Sequence, residues 1–480
     1  MNNLLKNTIY YSVGEICPRI IAFFLLPIYT HFLTPADYGI MSYTNTVMLF
    51  FVVLGTLALN SFVLRYYFIW NNEGDRRRLI GSVVSVILLM NLLILGLAFT
   101  FLPQLIEKYH IQVPWDPYFR LAVILNFLDS FSILPLVIYR VRQDALTFVK
   151  LNLGKTLLQV GFNLFFIVYL QIGLIGYYYS MLCTYIPYFC IYLYIIKKYA
   201  TFSFDFAIIK EGLRFSLPLL PGALAYLILS VSDRIILERN VSMAEIGIYN
   251  VAFTMALALN IVIQSGYKAI EPEIFKRYGA ADYFSFIKKL QSIFFIAIYV
   301  VGLGICLFSQ EVFYFMTGPN FHSGYKLVPL LIVGVVMSGQ NVIYSGILSA
   351  EKRTKVIGFV TIIGGLFSIL FNVLLIPLGG IYAAAISSAV SFTIMNTLLF
   401  GAMHFEGKSI YREFICVFVI PILAYIFFYV FSEISLIGFL AKLLFVLFYI
   451  ICCLKLFNFE MKNVRAMIML IMHKSICNNH

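Results

Sequence analysis

The stretch YYSVGEICPRIIAFFLLPIYTHFLTPADYG, residues 10–39, has the length and the apolar character of a membrane-spanning helix. A span needs about 20 apolar residues, and this one carries Glu15 and Arg19 near its middle. A charge near the centre of a bilayer costs about 2.5–3.5 kcal/mol even on mild insertion scales, so it should face protein or water. Two interpretations stay open: the two charges, four residues apart, neutralise each other along the helix, or they line a polar cavity.

The rest of the chain has the composition of a polytopic membrane protein. Of its 480 residues, 62% are hydrophobic and 12% are charged, whereas soluble domains carry about 25% charged residues. Apolar runs predict fourteen spans, roughly 8–32, 38–64, 79–102, 118–139, 151–170, 173–196, 213–236, 244–267, 290–309, 327–349, 356–376, 380–402, 414–432 and 436–457. We therefore expect an all-α polytopic membrane protein with 14 transmembrane helices.

The distribution of lysine and arginine predicts the orientation of these spans. With the N-terminus inside, 26 of the 34 basic residues fall in cytoplasmic segments and five fall in outer segments. Because cytoplasmic loops are enriched in basic residues, this asymmetry predicts cytoplasmic N- and C-termini. The formal net charge of +12 then reflects membrane topology, and we expect no nucleic-acid partner.

An internal repeat predicts how the spans are grouped. Ala36–Ile40 matches Ala244–Ile248 at an offset of 208 residues, and Phe162-Asn163 matches Phe371-Asn372 at an offset of 209. Halves of six spans enter the membrane from the same side and form parallel repeats, an arrangement that places a substrate pathway between two bundles. We predict six-helix bundles at residues 1–200 and 201–405, followed at 406–480 by two additional helices and a cytoplasmic tail.

Two charged residues within the spans are candidates for a transport pathway. Asp129 lies near the middle of span 4 with no basic residue within one helical turn, which indicates either a proton or coupling-ion site or a structural bond to another helix. Lys155 lies roughly 10 Å into span 5, at about 1.5 Å per residue, on the same face as Gln159. Its ammonium group either lines the pathway or snorkels to the inner interface.

Three further polar residues allow two interpretations each. Asp233 ends span 7, where it is either an ion-coupling group or part of a solvated helix end. Asn45 and Gln264 offer hydrogen bonds to a hydroxylated ligand, although bonds between helices explain such amides equally well.

Catalytic and nucleotide-binding motifs do not fit the sequence. Gly154-Lys155-Thr156 imitates the end of a phosphate-binding loop, but Val149 stands where that motif needs its first glycine. The cysteines have no metal-ligand spacing with histidine, and the short outer loops lack the paired acids of glycan-processing enzymes. We expect a transporter rather than an enzyme, with no cofactor beyond a coupling H⁺ or Na⁺.

The chain resembles the Wzx-type polysaccharide flippases of the MOP superfamily, which are relatives of the MATE exporters and the lipid II flippases. The residues that carry the likeness are Pro27, Thr34–Gly39, Leu217-Pro218, Ser232–Arg234, Gly247–Tyr249 and Ala350–Thr354. The resemblance implies two bundles around a central cavity with alternating access. It also implies a cargo of undecaprenyl-pyrophosphate-linked oligosaccharide repeat units, moved across the bacterial inner membrane for O-antigen, capsule or exopolysaccharide synthesis.

A pyrophosphate cargo predicts cations in the cavity. Our candidates are Arg19 and Lys155, with Arg65 and Lys268 near the inner mouth, because arginine binds phosphate by its fork and lysine as a point charge. The acids Glu15, Asp129 and Asp233 are the candidates for ion coupling. Membrane lipids, the glycan polymerase and the chain-length regulator are candidate partners. Two alternatives stay open, a MATE-like cation-coupled multidrug exporter and a membrane glycan polymerase or transferase.

Overall fold

The computed structural model of the chain describes residues 2–70, 72–403, 411–431 and 433–457. Its helices are α1 (Asn2–Phe32), α2 (Pro35–Thr56), α3 (Leu59–Tyr66), α4 (Glu73–Lys108), α5 (Arg120–Ser130), α6 (Ile133–Val141), α7 (Ala145–Asn163), α8 (Gly173–Tyr199), α9 (Phe206–Ser216), α10 (Leu220–Leu237), α11 (Met243–Leu257), α12 (Leu259–Lys276), α13 (Tyr283–Leu307), α14 (Ser309–Met316), α15 (Val328–Ala350), α16 (Thr354–Ala402), α17 (Tyr411–Val430) and α18 (Leu436–Leu456). The all-α class is confirmed. The predicted tail lies outside the described residues.

Thirteen helical segments in the described ranges are long and apolar enough to cross a membrane. One of them, α16, has 49 residues and covers both predicted spans 11 and 12. Its backbone leaves the helical conformation at Gly380, where φ is 53° and ψ is −132°. Glycine suits this position because it lacks the Cβ that makes positive φ costly. The break lies at the end of the turn that the sequence places between those two spans.

The helices depart from the predicted spans at two places. Span 2 is divided into α2 and α3 by Leu57 and Ala58, whose φ angles are 48° and 55°, a conformation that residues with a side chain seldom adopt. The segment between spans 8 and 9, whose amphipathic sequence suggests a helix, is largely helical, since α12 continues to Lys276 and α13 begins at Tyr283. Hydropathy marks where a helix leaves the membrane, and the helix itself continues through the polar residues that follow.

The contacts between helices divide the chain into two compact units. The first unit comprises residues 3–247, and the second comprises residues 1–2 and 248–480. In the first unit α10 packs along α2, and a core of apolar side chains from α3, α4, α6, α7, α8 and α9 surrounds the fully buried Phe62. In the second unit α15 is the central helix and packs against α12, α13, α16 and α17. The predicted bundle boundaries at 200 and 405 concern the sequence repeat and stay a prediction.

The two copies of the repeated motif have the same hydrogen bonds. At the start of α2, the Thr34 hydroxyl accepts a bond from the Asp37 N–H at 3.2 Å, and the Asp37 carboxylate accepts one from the Thr34 N–H at 2.9 Å. At the start of α11, Ser242 and Glu245 make the same reciprocal pair at 3.3 Å and 3.0 Å. Each pair is a capping box, which satisfies the free N–H groups of the first helical turn.

The same two helix starts touch each other through their main chains. A Cβ built on Gly39 would lie 1.9 Å from the carbonyl oxygen of Met243, and one built on Gly247 would lie 1.8 Å from the carbonyl oxygen of Pro35. Small residues let helix backbones approach closely. At this contact only glycine fits on either side, which explains why both copies of the motif carry it.

Candidate functional site

A polar cavity of about 330 Å³ lies within the first unit. It is lined by Gly14, Glu15 and Pro18 of α1, by Asn152, Lys155, Thr156 and Gln159 of α7, and by Tyr185 of α8. Lys155 and Gln159 are four residues apart and therefore share one face of α7. Three of the residues that the sequence singles out, Glu15, Lys155 and Gln159, thus meet at one cavity.

Lys155 is held at this cavity by two groups from other helices. Its ammonium group donates to the Asp129 carboxylate of α5 in a direct ion pair. The same ammonium lies 4.2 Å from the centre of the Tyr185 ring, a cation–π geometry. The Lys155 side chain is 16% exposed and that of Asp129 is 37% exposed. Asp129 therefore has a basic partner, which local sequence cannot reveal because Lys155 follows 26 residues later on α7.

Glu15 forms the second ion pair of the cavity. Its carboxylate accepts a hydrogen bond at 2.8 Å from Arg140, near the end of α6. The guanidinium of Arg140 also lies 5.6 Å from the centre of the Phe148 ring on α7. Arg19 lies on α1, but its side chain is outside the described part of the structure, and so is the predicted pair between Glu15 and Arg19.

The charges described at this cavity balance. Lys155 and Arg140 are each matched by a carboxylate, Asp129 and Glu15 respectively. The prediction of a cationic lining, which includes Arg19, stays a prediction. Matched charges are expected here, since removing an isolated charge from water costs several kcal/mol, which a close counter-charge offsets in part.

The other predicted site residues of the first unit lie away from this cavity. Asn45 on α2 interacts with the hydroxyl group of Tyr177. Arg65 on α3 is exposed, with its guanidinium 5.3 Å from the centre of the Phe215 ring. Neither residue is among those that line the cavity, and their roles toward a substrate stay predictions.

Gln264 and Lys268 belong to the second unit. Both lie on α12, where Gln264 is half-buried and Lys268 is exposed. Their spacing of four residues places them on the same helix face. A role for either residue in substrate binding stays a prediction.

Asp233 is neither solvated nor at the cavity. Its carboxylate lies 2.9 Å from the Arg234 guanidinium, and the two side chains are 3% and 4% exposed. The interpretation as a solvated helix end is therefore wrong. These residues stay inside α10, which continues to Leu237 and packs along α2. Two adjacent charged residues lower the local hydropathy, and hydropathy alone therefore suggests a helix end here. It does not register that other parts of the fold bury these two side chains.

Sequence reasoning missed two residues that contact the charged side chains of the cavity. Arg140 counts as a cytoplasmic loop residue when only charge and hydropathy are considered, yet it lies within α6 and pairs with Glu15. Tyr185 lies in a span so rich in aromatic residues that no single tyrosine is distinguished. Only knowledge of the rotation of α8 about its axis, which places Tyr185 opposite Lys155, could have identified this residue in advance.

A buried amide network lies between the same helices. The Asn163 side chain donates to the Tyr29 hydroxyl at 2.8 Å and accepts a hydrogen bond from the Ser180 hydroxyl. This network ties α1, α7 and α8 together. The repeat pairs Asn163 with Asn372, and the two are 3% and 0% exposed. Both matched asparagines are therefore buried polar residues of their units.

The second unit contains a separate buried ion pair. Lys442 on α18 donates to Glu311 on α14 at 2.7 Å, and their side chains are 1% and 10% exposed. The pair joins one of the two additional C-terminal helices to the rest of its unit. Among the described residues, no group of three or more histidine, cysteine, aspartate or glutamate side chains is placed to hold a metal ion.

Two solved structures that share this fold are a flippase and a multidrug transporter. The chain superposes on a lipid II flippase, MurJ in an inward closed conformation, with a TM-score of 0.72, 16% identity and coverage of 94% of this chain and 98% of that one. It also matches a multidrug resistance MATE family transporter of the MOP superfamily, with a TM-score of 0.65, 13% identity and coverage of 85% and 98%. The predicted MATE/MOP-like fold is confirmed.

Sequence comparison gives the family. A protein of the Lsg locus of Haemophilus influenzae is 22% identical over 277 residues, which is 56% of this chain and 66% of that protein. An uncharacterized membrane protein of the same organism is 21% identical over 282 residues, or 57% and 66%. Both matches thus span just under two thirds of the relatives' length. The family model described as "Polysaccharide biosynthesis protein" matches residues 4–277. The chain is a multi-pass membrane protein that belongs to this polysaccharide biosynthesis protein family.

Proposed function

We propose that the chain is a flippase for undecaprenyl-pyrophosphate-linked oligosaccharide repeat units in the bacterial inner membrane, serving O-antigen, capsule or exopolysaccharide synthesis. One observation carries the proposal: a polar cavity inside a unit of membrane helices is lined by Lys155 and Glu15, and each of them is paired with an opposite charge on a neighbouring helix, Asp129 and Arg140 respectively. The polysaccharide biosynthesis family supports a glycan cargo. The fold shared with a lipid II flippase supports movement of a lipid-linked one.

The ion pairs supply a way to bind and release an anionic headgroup. Lys155 and Arg140 are exposed enough to meet a ligand, at 16% and 45% of their side-chain surface. A pyrophosphate would compete with Asp129 for Lys155 as a point charge and with Glu15 for the fork of Arg140. When the cargo leaves, each carboxylate takes back its cation, so neither cation is left without a counter-charge. This exchange keeps binding weak enough for transport.

The carboxylates also offer a place for a coupling ion. A proton or Na⁺ on Asp129 would remove its hold on Lys155 and leave the ammonium free for a phosphate oxygen. The cavity volume of about 330 Å³ lies at the lower end of the range, about 300–1,000 Å³, in which small ligands are held. We therefore assign to this cavity the charged portion of the cargo near the pyrophosphate.

Complementation tests the proposal. A bacterial strain without its own flippase receives the wild-type chain, K155A or D129N, together with each of several donor glycans, and surface glycan and membrane protein levels are measured. We expect K155A to lower surface glycan at least tenfold at an unchanged protein level. The matched control is K150A, because Lys150 lies on the same helix with its side chain exposed. Normal export by K155A with every glycan would contradict the proposal.

A MATE-like cation-coupled drug exporter is the second candidate, favoured by the two carboxylates near this cavity and by the fold shared with a MATE family transporter. An exporter of cationic drugs would use Glu15 and Asp129 to bind its substrate directly. Growth in the presence of cationic dyes separates the two functions. The flippase leaves dye tolerance unchanged, whereas the exporter raises it and D129N abolishes the increase.

A further inference from the structure

The segment between α8 and α9, residues 200–205, is an extended strap fixed to the first turns of α4. The Thr201 N–H donates to the carbonyl oxygen of Arg77 at 3.1 Å, and the Ser82 hydroxyl donates to the carbonyl oxygen of Ser203 at 3.2 Å. A Cβ on Gly81 would lie only 1.9 Å from the carbonyl oxygen of Thr201. The strap therefore lies directly on the α4 backbone, at a place where α4 has no side chain.

Alternation along this strap directs two aromatic rings outward, and a third follows on the first residue of α9. Ser203 and Asp205 are half-buried, and Asp205 caps α9 by accepting a bond from the Ala207 N–H at 3.0 Å. Phe202, Phe204 and Phe206 point away from α4 and are 62%, 65% and 71% exposed. Successive side chains of an extended segment point to opposite faces. The hydrogen bonds on one face thus fix the rings on the other.

Basic side chains lie on the segments that adjoin the strap. Arg77 and Arg78 lie in the second turn of α4, Lys197 and Lys198 lie in the last turn of α8, and Lys210 lies in the second turn of α9, whereas Arg214 lies in the last turn of α9, away from the strap. The acids on the same segments are Glu73 and Asp75 of α4, Asp205 and Glu211; Glu73 is paired with Arg142, and the Asp205 carboxylate is engaged in capping. Basic residues therefore outnumber acidic ones beside the strap.

The backbone of the strap indicates its depth relative to the membrane. It links α8 to α9 without a helix of its own, and lipid-exposed irregular backbone is not tolerated inside the hydrocarbon region. Lys197 and Lys198 in the last turn of α8 also place this end at the surface of the membrane. Rings directed outward from such a position reach the boundary between headgroups and acyl chains, where basic and aromatic residues bind an anionic leaflet.

We propose that Phe202, Phe204 and Phe206, together with the adjoining lysines and arginines, form an interfacial anchor that inserts into the anionic leaflet. The rings enter the upper acyl region, and the cations contact lipid phosphates. The anchor holds the end of α8 and the start of α9 at a fixed depth. It acts on membrane lipid and does not depend on which cargo the chain carries.

Depth-dependent fluorescence quenching tests the anchor. The full chain with W70F and W115F, carrying F204W as its sole tryptophan, is purified and reconstituted in vesicles of equimolar phosphatidylglycerol and phosphatidylethanolamine. Lipids brominated near the headgroup or near the methyl end act as quenchers from within the membrane, and acrylamide acts from the water. L93W in the same background is the matched control, since Leu93 lies midway along α4 and is 51% exposed.

We expect the tryptophan at position 204 to be quenched severalfold more by shallow bromine than by deep bromine, and the one at position 93 to show the reverse. Replacing Lys197 and Lys198 with glutamine should lower the shallow quenching, and replacing phosphatidylglycerol with phosphatidylcholine should do the same. Strong acrylamide quenching without bromine quenching would overturn the anchor by placing the rings in water. Protection from both quenchers would overturn it by showing that the ring is covered by this chain itself or by a second copy of it, and not by lipid. F202W provides a second position if F204W is not monodisperse.

Discussion

The contact between Gly39 and Gly247 gives the sharpest prediction. Alanine at either position would bring a methyl group to 1.8–1.9 Å from a main-chain carbonyl oxygen, whereas real contacts of this kind lie beyond 3.0 Å. The helix starts would have to separate by more than 1 Å, the difference between those distances. Overpacking typically costs about 1–3 kcal/mol. We expect at least the upper end of that range, because a backbone atom cannot rotate away.

A double variant distinguishes destabilisation through this contact from nonspecific destabilisation of the fold. Since G39A and G247A force apart the same two helix starts, their effects should not add, and the double variant should be much less destabilised than the sum of the single ones. G96A is the matched control, because a Cβ at Gly96 of α4 meets nothing within 4 Å. Alanine there should be neutral, or favourable by up to about 1 kcal/mol from helix propensity.

Thermal unfolding of the detergent-solubilised chain measures these effects. A thiol-reactive fluorophore reports unfolding, because Cys306 is fully buried in the folded chain. We expect the Tm to fall by several degrees for each single glycine variant and to stay unchanged for G96A. If G39A and G247A unfold at the temperature of G96A, the helix starts do not touch and the reasoning is refuted.

Three further predictions use the same assay. K442M should destabilise the chain by about 3–5 kcal/mol, because Glu311 is left as a buried unpaired charge, and K442M/E311Q should recover part of the loss; equal Tm values for wild type and K442M would contradict this. D129N should lower the Tm less than K442M does, since Asp129 is 37% exposed, and a larger fall would show that its ion pair is mainly structural. N163A should cost about 1–3 kcal/mol by leaving Tyr29 and Ser180 without their partner, whereas an unchanged Tm would mean that the network does not stabilise the fold.

The fold was predictable because few backbone structures can cross a membrane. Apolar runs of span length must become helices, since backbone groups in lipid have to be satisfied internally. The turn at Gly380 and the start of α11 follow from that rule together with local motifs. The division of span 2 at Leu57 and Ala58 was not predictable, because neither residue favours positive φ and only the surrounding structure imposes it.

The candidate site was only partly predictable, because charge pairing depends on helix register in three dimensions. Glu15 and Lys155 stand out as charges within apolar runs, and both line the cavity. Their partners Arg140 and Asp129 come from α6 and α5. A sequence shows that a charge lies within an apolar run, but it does not show which helix carries the opposite charge. Asp233 and Arg234 pair with each other and are buried, although a solvated helix end was one of the two interpretations of Asp233.

The glycine contact also offers a reason why the predicted repeat is recognisable at this place in the sequence. A junction formed by two main chains admits no side chain on either surface, so neither copy can accept an ordinary substitution while the other stays unchanged. Lipid-facing positions elsewhere need only an apolar side chain and therefore tolerate substitution by many residues. Sequence similarity is therefore expected to persist in the short stretches around Gly39 and Gly247, which are one of the two places where the repeat is seen in the sequence.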